Sequence, residues 1–195
     1  RSWLGKPSVI PSCRVLLLAE VQSILLDLVN SREDVILDSS SKQIVRFGHR
    51  GWEDLPRGQG WTCSSRLVLF QFGNYPGRRD LNLWVDPGPE EARQRLIDLA
   101  KVHQPPYRLP EGNSKVFKSI YSRRFLRPGD FLDAAREDIE ARIRAQWEEV
   151  ADQDLPRLVA PIKEAIPAIA SSLVDGDAVS RTIPAETNDA VMIEH

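Results

Sequence analysis

Cysteine is scarce in this chain of 195 residues, which holds only Cys13 and Cys63. Two thiols build neither a disulfide framework nor a four-ligand zinc site, so nothing here demands an oxidising compartment. Histidine is nearly as rare: His49, His103 and His195 contain no pair at HExxH or HxxxH spacing, which excludes the helical zinc motifs. No charge of one sign dominates, with 26 Lys and Arg against 28 Asp and Glu. The formal charge of −2 argues against a generally basic nucleic-acid coat and against an acidic solvating chain. Long apolar runs are missing as well. The longest, Val15 to Ala19, stops at Glu20, well short of the roughly 20 residues of a membrane span. There is no G-x-S-x-G nucleophile elbow. Gly58-Gln59-Gly60 lacks the Lys-Ser/Thr of a phosphate loop and the third glycine of a dinucleotide fingerprint. Methionine occurs once, at Met192, and the first residue is Arg1, so the sequence is expected to lack its natural N-terminus.

What is present is an ordinary globular composition, 42% apolar and 28% charged. Residues 1–11 carry Gly5, Pro7 and Pro11 and read as a connector. Ser12 is placed to cap a helix through about Asn30. Its polar stripe, Glu20, Ser23 and Asp27, is narrow, and an apolar surface that wide predicts a long helix buried on most sides. Val35 to Leu37 and Gln43 to Phe47 then read as a hairpin turning at Ser39-Ser40-Ser41. A loop rich in glycine and tryptophan leads to the strongest strand, Arg66 to Phe72, and Asn74-Tyr75-Pro76-Gly77 supplies turn chemistry. Asp80 to Asp86 alternates apolar and polar residues, as a strand with one buried face should.

Pro87, Pro89, Glu90 and Glu91 announce a second helix, running to about Val102. Val116 to Leu126 returns to β character, and a third helix is expected over about Asp130 to Ala151. Its apolar stripe is Leu132, Ala135, Ile139, Ile143, Trp147 and Val150. Prolines 156, 161 and 167 are expected to break the chain beyond that helix into short turns. The fold class is therefore α+β: an antiparallel sheet of about four to five strands with helices on one face, preceded by a long buried helix. The organisation is an N-terminal helix over 1–32, an α+β domain over 33–170, and a disordered acidic tail over 171–195. That tail has five acids against one arginine.

Candidate chemistry is thin. His49 sits in a glycine-rich loop near Arg50, Glu53 and Asp54, which allows a general base with a carboxylate partner. A loop histidine with solvent and backbone partners is the favoured reading. Cys63 lacks a sequence-visible base and reads as a buried or half-buried structural thiol. Glu53 and Asp54 read as a solvated loop. Residues 114–127 stand out, holding Lys115, Lys118, Arg123, Arg124 and Arg127 with no acid, interleaved with Phe117, Tyr121 and Phe125. They form either a basic strand that tracks a phosphate backbone or a sheet strand whose cations pair with the acid-rich third helix. Alternation sends Lys118 and Arg124 to one face and Lys115, Arg123 and Arg127 to the other.

The runs Trp52-Glu53-Asp54-Leu55-Pro56, Gly58-Gln59-Gly60-Trp61-Thr62 and Arg66 to Phe72 resemble the C-terminal part of a bacterial PD-(D/E)XK nuclease group. DLNLWVDPGP and Lys118-Ser119-Ile120-Tyr121-Ser122 fit the same likeness, which covers roughly residues 45–165. It implies a cytoplasmic protein of the restriction-endonuclease-like kind, hydrolysing DNA phosphodiesters with Mg²⁺ held by carboxylates. The signature places an acid two residues before a lysine, so that carboxylate and ammonium share the metal and the attacking water. Two residues before Lys6, Lys42, Lys101, Lys115, Lys118 and Lys163 stand Leu4, Ser40, Leu99, Asn113, Val116 and Pro161. None is acidic. The likeness therefore supplies no catalytic and no metal-binding residue, and the expected partners are DNA and a catalytic region N-terminal to this part. Mg²⁺ would belong to that region, and this chain alone is expected to be inactive. The rival expectation is a non-catalytic protein-interaction module, with Trp52, Trp61 and Trp84 binding a partner or filling the core.

Overall fold

The computed structural model describes residues 12–75, 78–109, 117–127 and 135–179. Helix α1 (Ser12–Asn30) leads into five strands: β1 (Val35–Ser41), β2 (Ile44–His49), β3 (Val68–Tyr75), β4 (Arg78–Val85) and, after α2 (Glu90–Val102), β5 (Lys118–Leu126). Helices α3 (Arg136–Glu149) and α4 (Leu155–Val179) come next, joined through a π turn at Val150–Asp154. Strand order is β1-β2-β3-β4-β5 with every pair antiparallel, the α+β sheet expected. Among the described residues no helix is long and apolar enough to cross a membrane.

Cross-strand register explains which face is buried. Val45, Phe72, Leu81 and Arg123 stand in one row, and Phe47, Phe70, Leu83 and Tyr121 in the next. Both rows face the helices. Phe47 stacks on Phe70 at 5.0 Å between ring centroids, Phe72 meets Phe125 at 5.0 Å, and Trp147 of α3 closes on Phe47 and Phe72 at 5.7 Å each. Helix α1 buries Val21, Ile24, Leu25, Leu28 and Val29 against this layer, while Ser23 and Asp27 remain exposed.

One polar residue ties the layers together. Asn74, 1% exposed, donates from Nδ2 to the carbonyls of Leu18 and Lys42, each at 2.9 Å, and accepts from Arg79 Nε at 3.1 Å. It joins α1, the β1–β2 turn and β4. Asn74→Ala is expected to cost about 2 kcal/mol, because two carbonyls and a buried guanidinium each lose a partner. Urea unfolding followed by circular dichroism measures it.

Three local expectations are corrected. Ser39, Ser40 and Ser41 lie within β1, and the hairpin turns at Lys42 and Gln43. A bulge between Leu37 and Ser39 takes up the extra residue, so the strand continues through a serine run that reads as turn chemistry. Asn74 and Tyr75 likewise complete β3. The largest difference is α4, which runs unbroken for 25 residues with Pro161 and Pro167 inside it. Leu155, Leu158, Ile162 and Ile169 are buried at helical spacing, and that packing outweighs the hydrogen bonds the prolines delete. Pro156 comes directly after the π turn, where the helix already departs from i→i−4 pairing. Helix α4 extends through Val179 into the span expected as a tail; residues 180–195 lie outside the described residues.

Candidate nucleic-acid interface

Strand β5 is an edge strand, and two bulges set where its side chains point. Its pairing with β4 shifts between Leu83 and Trp84, which adds Ile120, and between Arg79 and Asp80, which adds Phe125. Each bulge turns the strand, so Ser119, Ile120 and Tyr121 are buried in succession, as are Phe125 and Leu126. Simple alternation therefore fails for this strand as a whole.

Between the two bulges alternation holds, and it divides the labour of two adjacent arginines. Arg123, 22% exposed, points to the helix layer, donating to Glu149 of α3 at 2.6 Å and to Asp154 of the π turn at 2.8 Å. Those two carboxylates hold its guanidinium charge more firmly than usual. Tyr121 donates its hydroxyl to the same Asp154 oxygen at 2.6 Å. Burial, reinforced by that carboxylate, pushes the phenol pKa up, so Tyr121 stays protonated. Arg124 is 60% exposed and reaches Asp80 at 3.7 Å.

On either side of the second bulge, Arg123, Arg124 and Arg127 line a groove of about 550 Å³ between β5 and α3. Arg142, Gln146 and Glu149 of α3 also line it, together with Phe125 and Leu126 of β5. Three of the five cations expected at this surface thus meet in one place. Lys118 is half-buried at the start of β5, opposite Val85, away from the groove; Lys115 lies outside the described residues. Arg142 was not legible as a partner, since nothing in the sequence says which face of α3 meets the edge strand.

His49 serves the fold. Its Nδ1 accepts the Gly51 amide at 2.9 Å, capping the short 3-10 turn Arg50–Trp52, and its Nε2 lies 3.7 Å from Asp34. Burial lowers its pKa, against the pull of Asp34. A ring nitrogen committed to a backbone amide is not available to take a substrate proton. Trp52 also belongs to the core, stacked on Phe70 at 5.5 Å. Glu53 is not simply solvated: it accepts from Arg66 Nε at 2.8 Å, and Arg66 bridges onward to Asp38 at 3.2 Å. Cys63 is exposed, contrary to expectation, because it lies in the loop joining β2 to β3 rather than in the sheet.

That loop crosses the outer sheet face. Trp61 packs edge-on against Trp84 at 6.4 Å and Phe117 at 5.3 Å, and the Arg46 guanidinium stands 4.5 Å from its ring centre. Among the described residues no group of three or more His, Cys, Asp or Glu could hold a metal ion. Comparison of the chain with protein families, curated proteins and solved structures gives no match.

Proposed function

We propose that this chain is the DNA-contacting, non-catalytic portion of a cytoplasmic PD-(D/E)XK-type nuclease. Phosphodiester hydrolysis and its Mg²⁺ would belong to a catalytic region elsewhere in the same protein. The nuclease part of the reading rests on the motif likeness over residues 45–165. The DNA-contacting part rests on one observation, the arginine groove along the β5 edge. Planar guanidinium forks suit phosphate oxygens, and a groove that collects several of them tracks a backbone without reading its bases. Arg123 is held by two carboxylates, whereas Arg124, Arg127 and Arg142 are exposed along the groove, where their guanidinium groups can meet phosphates together.

Three phosphate contacts give log K a slope against log salt of about −2 to −3. Titrating duplex DNA into the protein by fluorescence anisotropy, across a salt series, measures that slope. Arg124→Ala and Arg127→Ala are each expected to weaken binding equally on all sequences and to reduce the slope by about one. Arg123→Ala is expected to act mainly on stability. Absence of salt-dependent binding at low ionic strength would sink the reading. The protein-interaction alternative would then lead, with the half-buried Trp61 and Trp84 as its anchors.

A further inference from the structure

A buried carboxylate lies directly under the loop that covers the outer sheet face. Asp86, at the end of β4, is 1% exposed. Its Oδ2 accepts the Trp61 amide at 3.4 Å, and its Oδ1 has no hydrogen-bond partner among the described residues. A carboxylate so placed is expensive to ionise, because the low-dielectric surroundings replace water without replacing its hydrogen bonds. The charged groups that face it are Arg46 of β2 and Arg93 of α2. Both are engaged elsewhere: Arg46 donates to Gln71 and lies over Trp61, also facing Asp38 of β1 and Tyr75 of β3. Arg93 donates to the Asp86 backbone carbonyl and to Glu90.

The covering segment is built to move at one end. Gly60 has φ +90, a conformation that favours glycine. A Cβ on Gly58 would stand 2.6 Å from Asp86 Oδ2 and 2.9 Å from the Pro87 carbonyl, so only glycine lets the chain lie this close to the carboxylate. Beyond Trp61 the segment is pinned, with Ser64 donating to Asp38 and Arg66 pairing with Asp38 and Glu53. The glycine-bearing part is tied to the pinned end by the Gly58 amide on the Ser65 carbonyl at 2.7 Å and the Arg57–Arg66 bridge. It is held to the sheet by the Gln59 amide on Pro87 at 2.6 Å, the Trp61 amide on Asp86, and the Trp61 ring contacts.

We propose that residues 57–66 form a strap whose glycine-bearing end lifts from the outer sheet face when Asp86 ionises and closes over it when Asp86 is protonated. Lifting hydrates the carboxylate and uncovers Trp84 and Phe117. The sign comes from the environment. Burial raises the Asp86 pKa from 3.8 to about 6, so the closed strap binds more protons than the open one between those values. Closure is therefore strongest in acid and weakens as pH rises through that window.

Hydrogen exchange of the Gln59 and Trp61 amides tests this, referenced to the Phe70 and Phe72 amides of β3 and corrected for intrinsic rates. The strap amides are expected to be less protected than those of β3 at every pH. Their protection should fall on the order of 25-fold from pH 4.5 to 7.5. Asp86→Asn should flatten that fall; Asp86→Ser, which also removes the charge, serves if the asparagine variant does not fold. Strap amides as protected as those of β3, or a pH profile unchanged by the neutral variants, would overturn the proposal.

Discussion

Trp147→Ala is expected to lower folding stability by about 3–5 kcal/mol, a large share of what a domain of this size possesses. The indole is 4% exposed and is the point where α3 reaches the sheet. It meets Phe47 nearly edge-on, at 75° between ring planes, and Phe72 at 50°. Those two rings are themselves in contact with Phe70 and Phe125, so the deleted volume lies inside one continuous aromatic cluster. Truncation removes both the transfer free energy of the indole and the packing of its neighbours, and large rings fixed on strands have little room to collapse. Trp147→Phe keeps an edge-on ring and should cost only about 1–2 kcal/mol. Urea unfolding followed by far-ultraviolet circular dichroism separates the two. A loss below about 1 kcal/mol for the alanine variant would mean that α3 is held chiefly by Ile139 and Ile143.

Much of this architecture is readable from period alone. The alternation of Leu81, Leu83 and Val85 against polar neighbours predicts a strand with one buried face; the structure buries all three completely, but it buries Asp80, Asn82 and Asp86 as well, so β4 is covered on both faces. Residues Ile139, Ile143 and Trp147 recur every four positions and do form the inner face of α3. What period cannot show is tertiary override. Local chemistry marks Ser39 to Ser41 as a turn and Pro161 and Pro167 as breaks, because propensity counts only neighbours in sequence. Pairing with β2 extends the serines, and a buried face running from Leu155 to Ile169 keeps α4 continuous. The energies that decide these cases come from residues far away in the chain.

The candidate interface was legible only as composition. A basic run interleaved with aromatics locates β5, but the two bulges decide which of its cations share a face. A single extra residue reverses the alternation. Between the bulges alternation still holds, and neighbouring arginines part ways: Arg123 pairs with the helix layer while Arg124 stays 60% exposed. Asp86 was hidden more thoroughly. In sequence it is the last polar residue of a strand before Pro87-Gly88-Pro89. Its burial arises from Gly58 and Trp61, brought over it by a loop whose path no periodicity describes.

Asp154→Ala is expected to cost about 3 kcal/mol and to do so through Tyr121 as much as through Arg123. The π turn places Asp154 where one oxygen receives both the Tyr121 hydroxyl at 2.6 Å and Arg123 at 2.8 Å. Removing the carboxylate strands a hydroxyl in a residue only 3% exposed, which costs about 1–3 kcal/mol. Arg123 retains Glu149 at 2.6 Å, so its charge is not left alone, and its share of the loss is no larger. The two contributions can be separated. In an Asp154→Ala background, Tyr121→Phe deletes the stranded hydroxyl and should recover about 1 kcal/mol, whereas the same change in the native protein should destabilise it. That reversal of sign identifies the hydroxyl as the group Asp154 satisfies. Should Tyr121→Phe cost the same in both backgrounds, the loss belongs to the arginine, and the groove floor depends on Arg123 being held by both carboxylates at once.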